Sequence, residues 1–112
     1  MTAGVTQAIG ISAASYTQSA SAPAIANSAT IATNVTCTRV APAGAVTGLI
    51  LAAGVFPGQL LTVVNESAAL STITFAASGT SRVADGVLSI IAGLTARTFV
   101  WNASTSLWYP CK

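Results

Sequence analysis

Glu66 and Asp85 are the two carboxylates of the 112-residue sequence, and histidine is absent. Two carboxylates can work as general acid and base, as in glycoside hydrolysis. Both, however, stand in turn contexts, Asn65-Glu66-Ser67 and Asp85-Gly86, where short polar side chains and glycine serve the backbone. Without histidine, neither a Ser-His-Asp nor a Cys-His arrangement can be assembled. The single lysine is Lys112, the last residue, which makes a Ser/Lys dyad equally remote. Cys37 and Cys111 are too few and too far apart for a zinc cluster. Two acidic residues nineteen positions apart make a poor calcium site, and no glycine motif that cradles phosphate occurs. The sequence predicts no enzyme, no metal and no cofactor. For a chain folded in a cytoplasm, two free thiols are expected rather than a bridge.

The aromatic residues Phe99, Trp101, Trp108 and Tyr109 cluster near the carboxyl terminus. Aromatics on a β surface can stack on sugars or unstacked bases, but each also buries ~150–250 Å² when packed. Core or intersubunit packing is the expectation, with Trp101 and Trp108 meeting across the turn at Asn102. Two Thr-x-Thr pairs, Thr36/Thr38 and Thr72/Thr74, lack the constant repeat of an ice-binding ladder. The sequons at Asn34, Asn65 and Asn102 read as turn and strand-end residues.

The elements that would hold these residues are drawn from an unusual composition. Charged residues make up 5% of the chain, against about 25% in an average soluble domain. Net charge is +2 with no basic cluster, so no nucleic-acid footprint exists. The most apolar stretch, residues 46–56, is interrupted by Gly48 and Gly54 and stopped by Pro57. That is short of the ~18–20 apolar residues of a membrane span. No secretory signal is recognisable at the amino terminus, so cytoplasmic synthesis and no membrane partner are expected.

Residues 1–29 are a charge-free run of small residues, read as an extended low-complexity arm. Ile9, Ile11, Tyr16 and Ile25 are among its few sizeable apolar anchors. Residues 30–112 form the β-domain, with strands predicted over 30–40, 46–52, 59–65, 72–76, 81–84, 87–91, 95–101 and 106–109. Asp85-Gly86 is read as a two-residue hairpin turn, with Arg82 and Asp85 as a local ion pair. Turns about every ten residues point to an all-β fold: a small antiparallel sandwich or barrel, or a β-prism.

From Gly54 onward the pattern is Phe-Pro-Gly-Gln-Leu-Leu-Thr-Val-Val-Asn (56–65), Thr-Ile-Thr-Phe-Ala (72–76) and Ser-Arg-Val-Ala-Asp-Gly (81–86). It continues with Ile-Ala-Gly (91–93), Phe-Val-Trp-Asn (99–102) and Leu-Trp-Tyr (107–109). This half of the chain resembles a β module of tailed-bacteriophage virion proteins, found in small capsid decoration (cement) proteins and in fibre segments. The resemblance implies a homotrimer around a threefold axis and carries no active-site residues. It implies a virion structural protein on the capsid exterior whose partners are the major capsid protein and itself. The interface residues expected are Ile9, Ile11, Tyr16, Ile25, Trp101, Trp108 and Tyr109. The alternatives are a head- or tail-fibre protein binding host glycan through Trp108 and Tyr109, and a cell-surface adhesin or ice-binding protein.

Overall fold

A computed structural model describes residues 18, 19, 21–68 and 70–111. Among the described residues eight strands form: β1 (Thr30–Ile31), β2 (Cys37–Val40), β3 (Val46–Leu51), β4 (Leu60–Asn65), β5 (Ile73–Phe75), β6 (Ile90–Ile91), β7 (Thr95–Asn102) and β8 (Leu107–Pro110). They make two four-stranded sheets, ordered β1-β3-β5-β6 and β2-β4-β7-β8. Both are mixed: β1 with β3, β2 with β4, and β3 with β5 are parallel, whereas β5/β6, β4/β7 and β7/β8 are antiparallel.

The expected antiparallel arrangement therefore holds only in the later part of the chain. Through β5 the strands alternate between the sheets, so each returns to its own sheet by way of a strand in the other. A parallel pair needs a crossover of a dozen or more residues, and here the opposite sheet supplies it. Side-chain alternation is the same for parallel and antiparallel strands, so periodicity could not reveal the direction.

Inward residues of both sheets share one core. Ile31, Leu49, Leu51, Ile73, Phe75 and Ile91 come from one side, and Leu61, Val63, Phe99, Trp101 and Trp108 from the other. Phe75 and Phe99 join the layers edge to face, centroids 5.7 Å apart at 82°. Trp101 and Trp108 pair across β7 and β8, as their positions around the Asn102 turn suggest, with centroids 5.2 Å apart. Asn102 holds that turn, its Oδ1 accepting from the Ser104 amide at 3.0 Å and hydroxyl at 2.8 Å.

Three predicted strands change form. The span 30–40 divides into β1 and β2 because a buried threonine corner steers the chain between sheets. There Thr33 Oγ1 donates to the Ala53 carbonyl at 2.9 Å and Thr38 Oγ1 to that of Ala32 at 2.8 Å. Such side-chain bonds offer the backbone an alternative to the ladder. Instead of a strand over 81–84, one helical turn α1 (Ser78–Ser81) ends at Arg82, whose φ is 64°. Val83 then makes a single parallel bridge to Trp108.

The Asp85-Gly86 hairpin does not form either. A type I′ turn needs positive φ at both central residues, and Asp85 has φ −93°. The chain instead enters a 3-10 turn (Gly86–Leu88), and Ser89 Oγ donates to Asp85 Oδ1. Only Ile90–Ile91 of the predicted 87–91 strand pairs, with β5.

Residues 18, 19 and 21–28 lie against the strands. Gln18 bridges in parallel to Cys37, the Ala41 amide donates to the Pro23 carbonyl at 2.9 Å, and Ile25 packs on the core. Residues 1–17 of the expected arm are outside the described residues. No helix among the described residues is long and apolar enough to cross a membrane.

Candidate interaction surface

Glu66 stands just past the end of β4, beside Arg39 of β2, because the parallel register puts Val40 opposite Asn65. The guanidinium is bidentate: Nε donates to Oε2, and Nη2 to Oε1 at 3.0 Å. This hydrogen bonding to Arg39 holds the Glu66 carboxyl below its ordinary pKa and raises that of Arg39. A general acid requires the opposite shift. Among the described residues the other charged side chains are also bonded within the chain. Asp85 accepts from Ser89, Arg82 Nη1 donates to the Leu51 carbonyl at 3.1 Å, and Arg97 Nη2 donates to that of Ile90 at 3.5 Å. Among the described residues no group of three His, Cys, Asp or Glu could hold a metal ion.

Trp101 and Trp108, expected at an interface, are buried in the chain's own core, Trp108 completely. The Trp108 indole Nε1 donates to the Ala52 carbonyl at 2.8 Å, satisfying the one polar atom of a buried indole. Neither ring is available to a sugar or a neighbouring subunit in this conformation. Tyr109 is half-buried and its hydroxyl donates to Thr105 Oγ1 at 3.2 Å. Ile25 is partly buried against the core, and Ile9, Ile11 and Tyr16 lie outside the described residues.

The outward face of the β2-β4-β7-β8 sheet carries a row Cys37–Thr62–Thr98–Cys111, set by strand register and by the Cys111 amide donating to the Thr98 carbonyl. Thr62 and Thr98 share a hydroxyl–hydroxyl hydrogen bond of 2.9 Å. Both cysteines are free. Three interstrand steps of about 4.8 Å put their Cα atoms roughly 14 Å apart, about twice the reach of a disulfide. Leu60, Val64, Ala96, Val100 and Tyr109 share this outward face, which Arg39, already paired to Glu66, edges.

Two buried amides hold the loops at opposite ends of β4. Gln59 fixes the loop before it: Nε2 donates to the Thr33 carbonyl at 2.7 Å and Oε1 accepts from the Val55 amide at 2.6 Å. This loop displays Val55 and Phe56. Asn65 fixes the loops at the other end. Its Nδ2 donates to the Ser71 carbonyl at 2.7 Å and that of Ile91 at 3.2 Å, and its Oδ1 accepts from the Ser67 amide at 3.1 Å. Around these loops Leu70, Leu88, Ile90 and Leu94 are exposed. A shallow depression of about 680 Å³ lies beside them, lined by Leu88, Ala96, Arg97, Thr98 and Cys111.

The residues that expose most apolar surface are thus not the aromatics singled out from sequence. Their signal was a leucine beside turn residues, as in Ala92-Gly93-Leu94, but side-chain accessibility is not written in local order. No protein-family model, curated protein or solved structure matches this chain.

Proposed function

We propose that this chain is a bacteriophage virion structural protein: a capsid decoration, or cement, protein assembled as a homotrimer on the capsid exterior. Its partners are the major capsid protein and its own copies, with no nucleic acid, membrane or cofactor involved. The observation that carries the reading is the division of the surface. All five charged side chains of the described residues are bonded within the chain, while eight large apolar side chains are exposed. Large, permanent interfaces resemble a core cut in half, and cyclic assemblies of identical chains are the usual way to cover such surface. The half-chain resemblance to phage decoration modules supports the same conclusion. The fold assists it: Gln59 and Asn65 belong to the 56–65 motif, and both hold loops that display apolar residues.

As a cement, the protein bridges neighbouring capsid subunits and opposes their separation under internal pressure. Apolar contacts are not screened by salt as charge pairs are. Purified particles should therefore keep the protein through washes in 1 M NaCl, at hundreds of copies per particle. Release at moderate salt would overturn the reading. A few copies per particle would favour a fibre, although buried Trp101 and Trp108 leave a glycan without its best stacking rings.

A further inference from the structure

We propose that Leu70, Leu88, Ile90 and Leu94 form the contact by which one copy of this chain packs on another; the inference rests on the homo-oligomeric reading above. Leu94 provides the first argument. Its φ is 63°, in the left-handed region that disfavours bulky L side chains and favours glycine. The same side chain is 72% exposed. Backbone and hydration penalties fall together on one residue. A contact made by the leucine with another molecule offsets the hydration penalty.

The rim is also held ready. The Leu94 amide donates to the Asn65 carbonyl at 2.8 Å, and Thr95 Oγ1 bonds back to the Ala92 carbonyl at 2.6 Å. Asn65 also bonds the Ser71 and Ile91 carbonyls, so the backbone beside Leu70 and Ile90 is tied to the same amide. Side chains on a loop already fixed lose less freedom on binding.

The occupant follows from charge and area. Arg97, the cation nearest in chain to this rim, donates to the Ile90 carbonyl, and Asp85 accepts from Ser89. Charged residues make up 5% of the chain, so a second copy brings little like charge to this rim and a charged partner finds little to pair with. Leu70 is 89% exposed, Leu88 76% and Ile90 49%. With Leu94 they expose on the order of 500 Å² in sum, a large part of the roughly 800 Å² per partner that a stable interface buries.

The test is sedimentation equilibrium of the full chain as wild type, Leu94→Gly and Leu70→Lys, with urea melts in parallel. Wild type should be oligomeric at about 50 µM. Leu94→Gly should weaken association about tenfold or more while leaving the dissociated chain equally or more resistant to urea. A merely structural leucine would not give that split. Leu70→Lys should weaken association in the same direction, and it decides the matter if the glycine variant does not fold. An assembled wild type with both variants assembling equally well would overturn this face while sparing the oligomer. A monomeric wild type would overturn the face and the homotrimer together. Variants that keep the oligomer but fall off particles would assign the rim to the capsid and refute the second-copy contact.

Discussion

Gly54 lies where the β3–β4 loop crosses the Trp101 ring. A Cβ built there would sit 2.6 Å from Trp101 Cδ1 and closer still to Cγ and Cδ2, well inside van der Waals contact. Gly54→Ala therefore cannot be absorbed by a flexible chain end. The indole is wedged against Trp108, and the Trp101 carbonyl accepts from the Gly58 amide at 3.0 Å. Overpacking of this kind costs about 1–3 kcal/mol. Displacing the loop also strains the Trp108 Nε1 bond to Ala52, worth about 1 kcal/mol more. A total near 2–4 kcal/mol should lower the melting temperature by about 10–20 °C for a domain of this size. Urea unfolding followed by tryptophan fluorescence measures the loss, and near-UV circular dichroism reports the Trp101–Trp108 geometry. Gly44→Ala is the control, since a Cβ there meets nothing within 4 Å; it should be neutral or slightly stabilising. If Gly54→Ala stayed within about 0.5 kcal/mol of wild type with an unchanged near-UV spectrum, the loop would not rest on the indole and the reasoning would fail.

Asn65→Ala should cost about 2–4 kcal/mol, because it leaves the buried Ser71 and Ile91 carbonyls without the Nδ2 donor; amide exchange should quicken first over residues 66–72, and unaltered exchange there would contradict the clamp. The Arg39–Glu66 pair sets an acid limb. The folded carboxyl pKa lies below its ordinary value, so the pair's contribution is complete above the unfolded-state pKa of about 4.3 and disappears as pH falls through the folded one. Urea midpoints measured from pH 6 to pH 2 should show this decline in wild type and a shallower one in Glu66→Gln; parallel curves would remove the pair from the account.

Much of the fold was legible in local order. Period-two alternation sets Ile73 with Phe75, Leu61 with Val63 and Phe99 with Trp101 on one face of their strands, and all six are buried. The breaks just after Asn102 and at Phe56-Pro57-Gly58 fall between strands, as turn chemistry requires. Local order misled where long-range bonds compete with it. Asp85-Gly86 has the composition of a hairpin, yet Asp85 keeps negative φ and bonds Ser89. Residues 81–84 have strand-like neighbours, yet only Val83 bridges, to Trp108.

The scarcity of charge, the missing histidine and the β texture are properties of the sequence itself, because they depend on which atoms exist and on alternation along one strand. The interaction surface is another matter. Trp108 and Leu94 are comparably apolar as letters, yet one is wholly buried and the other mostly exposed. Only the tertiary structure decides between them, since burial depends on which strand crosses to which sheet. The parallel returns of β3, β4 and β5, with Gln59 and Asn65 tying distant loops, make that choice through hydrogen bonds spanning up to 26 positions.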